Sequence, residues 1–101
     1  MVRATLYMKV HDGRGDEFER AWRAIAEEVR KVPGSIRQTL TRDPDDPDSF
    51  VVTSDWSDRE TFGEFERSPQ QDDLTAPLRE LRESARMTVY DVVSHIEGGA
   101  S

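Results

Sequence analysis

The first third of the chain changes from an alternating to a helical pattern of apolar residues. Between residues 4 and 10, apolar side chains occupy every second position, which predicts a half-buried β-strand. From Asp16 onward the apolar positions recur at spacings of four and three residues, and this spacing places them on one face of a helix. They are Phe18, Trp22, Ile25, Val29 and Val32. Asp16 and Glu19 have the spacing of a capping pair, and Pro33-Gly34 predicts where the helix stops.

Two further strands are predicted at residues 36–42 and 50–56, which are rich in β-branched and apolar residues. The segment between them, residues 43–48, contains four aspartates and two prolines and cannot continue a ladder. It resembles a calcium-binding loop only superficially, because Pro47 takes a ligand position and Ser54 stands where the closing Glu belongs. We therefore expect a solvated turn that joins two antiparallel strands.

The second half of the chain predicts two helices and a last strand. Ser57 and Glu60 match a capping box, so a helix is expected to begin directly after residue 56 and to end near Ser68-Pro69. Its apolar face carries Phe62 and Phe65. A second helix follows, with Pro77 in or just after its first turn. Its apolar positions are Leu74, Leu78, Leu81 and Ala85. Residues 87–96 are predicted to form the last strand.

The resulting order β-α-β-β-α-α-β predicts a ferredoxin-like α+β fold, in which helices cover one face of an antiparallel sheet. No linker or internal repeat interrupts this order, so residues 1–97 are expected to form a single domain, followed by a flexible tail at 98–101. The uncovered face of the sheet is expected to be half apolar and suited to docking against another sheet. That face is predicted to carry Thr5, Tyr7, Arg37, Thr39, Val51 and Thr53.

Composition narrows the range of partners. The chain of 101 residues has 21 acidic and 14 basic side chains, a formal net charge of −7 and no cysteine. The negative charge and the lack of a basic stripe argue against a nucleic-acid partner. No apolar stretch is long enough to span a membrane. Because a chain without cysteine has neither a disulfide framework nor a thiolate site, a reducing cytoplasm is the expected location.

Few side chains offer cofactor or acid–base chemistry. The sequence has no glycine-rich phosphate loop and no pair of residues with metal-ligand spacing, so we expect no metal and no nucleotide cofactor. His11 and His95 are isolated in the sequence and are expected at the surface, although either has the chemistry of a base. Trp22 belongs to the helical stripe and is expected to pack in the core.

Several other side chains are candidates for a substrate pocket. Trp56 has two alternatives, to stack against a substrate or to pack against Phe62 and Phe65. The phenol of Tyr7 or Tyr90 could orient a substrate hydroxyl or bond to a neighbouring strand. Buried polar groups need partners, so polar residues in half-buried strands either point into a pocket or face solvent or a second subunit. These residues are Gln38, Ser54 and Asp91.

Residues 51–62, which read Val-Val-Thr-Ser-Asp-Trp-Ser-Asp-Arg-Glu-Thr-Phe, resemble the antibiotic biosynthesis monooxygenase family of dimeric α+β barrels. The element order and the length extend this resemblance over almost the whole chain. It implies a homodimer in which two sheets pair face to face, with a pocket between the sheet and the helices of each subunit. Members of the family include cofactor-free oxygenases that act on anthrone or quinol rings in aromatic polyketide pathways.

The resemblance carries one functional position over cleanly. It implies that Trp56 lies at the pocket wall, where aromatic substrates stack. Val52 and Phe62 stand where the anthrone-oxidising branch has an Asn and a Tyr, so the implied pocket is more apolar. The haem-degrading branch has an Asn in the first strand and a His in the helix after the Trp, whereas here residues 4–10 contain no Asn and residues 71–86 contain no His.

Two hypotheses about function remain open. The first is a cofactor-independent monooxygenase for a small polycyclic aromatic of the anthrone or quinol type. In this hypothesis Trp56 is the catalytic residue, and the substrate-binding residues are Tyr7, Gln38, Val52, Ser54, Phe62 and Tyr90. The alternative is a non-catalytic dimeric α+β barrel that binds a small apolar ligand or a pathway partner.

Overall fold

A computed structural model describes residues 1–99 and contains four strands and three helices in the predicted order. The strands are β1 (Val2–Val10), β2 (Ser35–Arg42), β3 (Ser49–Trp56) and β4 (Arg82–Asp91). The helices are α1 (Gly15–Val29), α2 (Arg59–Glu66) and α3 (Pro69–Leu81). No helix within the described residues is long and apolar enough to cross a membrane. The element order and the single four-stranded sheet confirm the predicted ferredoxin-like α+β architecture.

The four strands form one antiparallel sheet in the order β2-β3-β1-β4. Leu6 lies opposite Val52 of β3 and Met87 of β4, which fixes one face of the sheet across three of its four strands. Tyr7 lies opposite Val51 and Arg86, on the other face. Because the side-chain period of a strand is two, this register separates the residues that face the helices from those that do not.

The face that the helices leave uncovered, here called the outer face, is the one that the alternation predicts. Its central row pairs Thr5 with Thr53 and Thr88, and Thr53 with Thr39. Arg37 lies on this face beside Asp55. The register shifts between Ser35 and Arg37, which leaves Ile36 in an irregularity of the edge strand β2 with 48% of its surface exposed.

Both early helices begin differently from the capping prediction. Helix α1 starts at Gly15 without a side-chain cap, rather than at a capping Asp16, and it ends at Val29. The chain then leaves the helix through successive tight turns, in which the amide of Val32 donates to the carbonyl of Val29. In α2 the side chain of Asp58, not Ser57, caps the helix by accepting from the amide of Thr61.

The boundary between the last helix and the last strand also differs from the prediction. Pro69, not Pro77, occupies the first turn of α3, and Pro77 lies inside the helix. Ala85 continues the helical spacing, yet it lies in β4 opposite Met8, because pairing with β1 satisfies the backbone of the whole segment. The strand ends at Asp91, opposite Val2, the first residue of β1, and beyond it the amide of Val92 donates to the carbonyl of Met1.

The core consists of two hydrophobic clusters between the sheet and the helices. The first is centred on Met8, Val10, Phe18, Phe50, Leu78 and Leu81. The second is centred on Val2, Ala4, Val29, Trp56 and Phe62. Ile25 of α1 contacts both clusters. After β4, residues 92–98 form neither helix nor strand, and of the predicted tail, Ala100 and Ser101 lie outside the described residues.

Candidate functional site

A cavity of about 130 Å³ lies between the sheet and the helices, bordered by residues of both core clusters. Its floor is the helix-facing side of the sheet, and its roof comes from all three helices. Most of the lining is apolar or aromatic, as is typical of sites for small organic ligands. The sheet contributes Ala4, Leu6, Met8, Gln38, Val52, Ser54, Trp56 and Met87. The helices contribute Trp22, Ile25, Val29, Phe62, Phe65, Glu66, Gln71, Thr75 and Leu78.

Trp56 forms one wall of this cavity and is only 1% exposed. Its ring stacks on Phe65 with 5.1 Å between centroids and meets Phe62 at 5.7 Å in a tilted arrangement. The indole N–H donates to the Oγ of Ser54 over 3.1 Å. Trp56 therefore packs against Phe62 and Phe65 and also lines the cavity. Its neighbours and its hydrogen bond hold the ring at the cavity surface.

Polar groups are few along the cavity, and several are occupied by the protein itself. The Nε2 of Gln38 donates to the carbonyl of Ala26 over 3.1 Å and so ties β2 to α1. Thr75 donates to the carbonyl of Gln71 over 2.9 Å and accepts from Arg79. The Ser54 hydroxyl accepts from Trp56, but its proton can still be donated to a ligand.

Glu66 is a lining residue that the sequence analysis did not identify. It is the last residue of α2, it is exposed, and among the described lining residues it carries the only ionisable side chain. The helical period holds the signal that could have found it, since Glu66 lies four positions after Phe62 and therefore on the same face. The same argument applies to Gln71 and Thr75, which precede Leu78 on one face of α3.

The predicted site residues divide between the two faces of the sheet. Gln38, Val52, Ser54, Trp56 and Phe62 all line the cavity, and Trp22 lines it as well although packing alone was expected of it. Tyr7 and Tyr90 are instead on the outer face and are 39% and 57% exposed. The reason is the strand period, because the neighbours that face the helices are Leu6 and Val89.

The remaining polar candidates lie away from the cavity. The Nδ1 of His11 is 3.6 Å from Glu83, and the Nε2 of His95 is 2.7 Å from Glu97. Both histidines are exposed, as expected. Asp91 is an exposed residue 3.5 Å from Arg59. The aspartate-rich turn before β3 is closed by its own hydrogen bonds, and no group of three or more potential metal ligands occurs within residues 1–99.

The outer face carries an ion cluster around one buried carboxylate. Asp55 is 2% exposed and accepts two hydrogen bonds from the guanidinium of Arg3, at 2.7 and 3.0 Å. Arg37 approaches the same carboxylate to 3.5 Å. The hydrogen bonds from Arg3 hold the pKa of Asp55 below its ordinary value, with a further contribution from the charge of Arg37. This cluster is on the opposite side of the sheet from the cavity.

The sequence profile of the antibiotic biosynthesis monooxygenase family matches residues 1–77, which include the first three strands and most of the helical layer. The chain belongs to this family. Family membership agrees with the resemblance of residues 51–62. At this junction β3 ends with Trp56, which lies at the cavity wall.

Solved structures of the family have the same fold. SnoaB, a cofactor-independent oxygenase from Streptomyces nogalater, matches with a TM-score of 0.85 and 25% sequence identity, over 96% of this chain and 97% of its own. A Deinococcus radiodurans protein assigned to the same family matches with a TM-score of 0.84 at 17% identity, over 99% of this chain and 100% of its own.

Two curated Streptomyces proteins are similar in sequence. The 42.8 kDa protein in the whiE locus of Streptomyces coelicolor is 30% identical over 97% of this chain. Protein SchA of Streptomyces halstedii is 25% identical over 91% of this chain. The chain spans only about a quarter of the length of these relatives, 25% and 24% respectively.

Proposed function

We propose that this member of the family is a cofactor-independent monooxygenase that oxidises a small polycyclic aromatic of the anthrone or quinol type. The observation that carries the proposal is the aromatic-walled cavity, in a chain whose fold matches the cofactor-independent oxygenase SnoaB at a TM-score of 0.85. Aromatic walls suit a flat, electron-rich ring, which stacks favourably on Trp56, Phe62 or Phe65.

The size of the cavity sets how such a substrate binds. A cavity of about 150 Å³ accommodates one benzene ring, so a space of about 130 Å³ suits a single ring of the substrate. Glu66 and Met87 line the cavity and are exposed, and they mark its mouth. The remaining rings of a polycyclic substrate would extend towards this mouth, where the thioether of Met87 can change its rotamer to make room.

In the proposed reaction the substrate supplies the electrons. An anthrone loses a proton from its methylene carbon, and the resulting anion passes an electron to O₂ and couples with it. One atom of O₂ becomes the new carbonyl oxygen, and the other leaves as water with the two hydrogens of the methylene group. The role of the protein is to orient the ring, to stabilise its anion with donors such as the Ser54 hydroxyl, and to exclude bulk water.

Oxygen consumption tests this proposal directly. Metal-stripped protein is mixed with a panel of anthrones and hydroquinones under ¹⁸O₂, beside an enzyme-free control that measures autoxidation. We expect enzyme-dependent uptake, with one labelled atom in the quinone that forms from an anthrone. Trp56→Phe replaces the indole with a smaller ring and removes the hydrogen bond to Ser54. The substrate ring is then misplaced, and the rate is expected to fall by up to about 100-fold.

A second variant distinguishes a loss of catalysis from a loss of folding. Ser54→Ala keeps the Trp56 ring but removes its hydrogen-bond acceptor and the hydroxyl donor, so we expect a smaller loss of rate in a protein with an unchanged near-ultraviolet circular dichroism spectrum. Oxygen uptake at the autoxidation rate across the panel would refute the proposed activity.

The apolar character of the cavity favours one alternative, a non-catalytic protein that binds a small apolar ligand. Both tryptophans of the chain, Trp22 and Trp56, line the cavity, so their fluorescence reports its occupancy. Saturable quenching by an aromatic ligand without enzyme-dependent oxygen uptake would support the binding function instead of the oxygenase.

We also propose that the protein functions as a homodimer paired through the outer face. Tyr7 and Tyr90 expose apolar surface on this face, and Val93 and Ile96, beyond the end of β4, are 93% and 88% exposed. Large apolar side chains that are exposed to solvent are typical of an interaction surface. A second copy of the chain would cover them.

A further inference from the structure

Glu66 combines three properties that set it apart from the other carboxylates of the described chain. It lines the cavity, it is exposed at the end of α2, and it takes part in no salt bridge or side-chain hydrogen bond among residues 1–99. A carboxylate at the mouth of an apolar cavity can contact a ligand and exchange protons with solvent. Neither its packing nor an ion pair in the described chain accounts for its position.

We propose that Glu66 is the catalytic base that removes the proton from the bound aromatic substrate. This proposal rests on the oxygenase function proposed above and identifies the proton acceptor that such a reaction requires. Oxidation by O₂ without a cofactor begins with an electron-rich anion of the substrate, so a base within reach of the ring determines the rate of the first step.

The other polar side chains around the cavity are unsuited to this role. Gln38 and Gln71 carry neutral amides, which do not accept a proton under ordinary conditions. The hydroxyl of Thr75 is already bonded to the carbonyl of Gln71 and to Arg79, and the hydroxyl of Ser54 is bonded to Trp56. Hydroxyl groups are hydrogen-bond donors and acceptors here rather than bases.

The two histidines, which are the usual bases near neutral pH, do not line the cavity. His11 lies beside Glu83 at the far end of β1, and His95 lies beside Glu97 after the end of β4. Within the described lining, proton transfer from the substrate to the protein therefore falls to Glu66.

Protons and electrons balance over one reaction cycle, and Glu66 returns to its initial state. Its carboxylate takes a proton from the methylene carbon of an anthrone and leaves the substrate anion. The anion transfers one electron to O₂, and the two radicals join in a C–O bond that ends in a peroxide anion. The carboxylic acid of Glu66 returns its proton to this anion, and the hydroperoxide loses water as its O–O and remaining C–H bonds break. The product is the quinone, and Glu66 is again a carboxylate.

A matched pair of variants on the same helix tests the role of Glu66. Glu66→Gln keeps the shape of the side chain but removes the base, and we expect kcat for anthrone oxidation to fall by about 100-fold or more. Glu64→Gln makes the same chemical change two residues earlier in α2, at an exposed position that does not line the cavity. This control is expected to retain the wild-type rate and the wild-type unfolding temperature.

Two further readouts separate a base from a structural residue. Anthraquinone, which cannot be oxidised, should quench the tryptophan fluorescence of wild type and Glu66→Gln with the same Kd. A hydroquinone acidic enough to be ionised before it binds should be oxidised by Glu66→Gln at nearly the wild-type rate, because the anion that reacts with O₂ forms without a base in the protein. Added formate should partly restore anthrone oxidation in Glu66→Ala by supplying a carboxylate.

The outcomes distinguish this proposal from the one on which it rests. If wild type consumes oxygen and Glu66→Gln retains its kcat, the oxygenase function stands and Glu66 is not its base. A loss of rate accompanied by an equal loss of anthraquinone binding would also overturn the proposal, since it would show that Glu66 only holds the site together. If wild type shows no enzyme-dependent uptake, the oxygenase function itself fails, and catalysis by Glu66 fails with it.

Discussion

At the scale of single residues, Asp55 is the clearest case of a side chain whose chemistry is set by its neighbours. It is buried on the outer face of the sheet, where Arg3 donates two hydrogen bonds to it and Arg37 lies 3.5 Å away. These interactions lower the pKa of Asp55 from its ordinary value of 3.8. A carboxylate with a lowered folded-state pKa stabilises the fold above its unfolded pKa, and that contribution is lost as the pH falls through the folded value.

The first prediction concerns Asp55→Asn. We expect this variant to lose about 1.5 to 3 kcal/mol of unfolding free energy at pH 7, the usual range for hydrogen bonds to a charged group. Arg3 and Arg37 are 37% and 45% exposed, so solvent screens their interaction with Asp55. We therefore expect a loss of stability in the lower part of this range. Urea unfolding of both proteins at pH 7 and below the ordinary pKa of 3.8 measures the effect.

The comparison between variant and wild type is necessary because Asp55 is not the only such group. Hydrogen bonds from Lys9 and Ser49 lower the pKa of Asp46 to about 2, so wild-type stability falls in acid for more than one reason. Asp46 is unchanged in Asp55→Asn, so the difference between the two proteins isolates Asp55. That difference should shrink below pH 3.8. A difference of constant size would mean that the lost stability comes from packing.

At the scale of elements, the connection between α1 and β2 positions the helix that follows Trp56. Gly34 has a φ of +94°, a conformation that favours glycine, and its carbonyl accepts from the amide of Ser57 over 2.8 Å. A Cβ at Gly34 would lie 2.7 Å from the Oγ1 of Thr61 in the first turn of α2. Backbone conformation and close packing therefore both require glycine at this position.

The second prediction separates these two requirements with a matched pair of variants. Gly13 has a φ of +77° but no atom within 4 Å of its ideal Cβ, so Gly13→Ala is expected to cost only the backbone term of about 1 to 2 kcal/mol. Gly34→Ala is expected to cost a further 1 to 3 kcal/mol or so, because the methyl group displaces Thr61. Equal destabilisation of the two variants in urea unfolding would contradict the packing argument.

At the scale of the whole molecule, the two faces of the sheet have different surroundings. One face and the helices enclose the cavity, whereas the other exposes Tyr7, Tyr90 and the ion cluster around Asp55. A domain of about 100 residues has a thin core, and a second subunit that covers the outer face would add buried apolar surface. The assembly and the site are therefore expected to be separable by mutation.

The third prediction tests the proposed assembly. Light scattering at micromolar concentration should give twice the chain mass of 11.6 kDa. Tyr90→Asp places a charge on the outer face and is expected to shift the mass towards that of one chain, whereas Ala24→Asp, at an exposed position of α1, should leave the dimer intact. A monomeric wild type would overturn the proposed pairing.

The sequence by itself determined the order of the elements, the family and the inward face of the first three strands. Alternation in β1 and the four-and-three spacing in α1 are local patterns, and a local pattern fixes period and orientation without knowledge of the partner. The same patterns placed Gln38, Val52, Ser54, Trp56 and Phe62 in elements that meet around one cavity.

Only the tertiary structure decided which side chains share that cavity and where strand pairing overrides a local helical pattern. Ala85 continues a helical stripe, yet the ladder with β1 draws it into β4, because long-range hydrogen bonds satisfy that backbone. Tyr7 and Tyr90 have the chemistry of site residues but face away from the site. The helical period puts Glu66 on the same face as Phe62, but Glu66 borders the cavity because α2 packs over the sheet beside α3. A cavity arises where elements distant in sequence fail to fill the space between them, so its position follows from their packing in three dimensions.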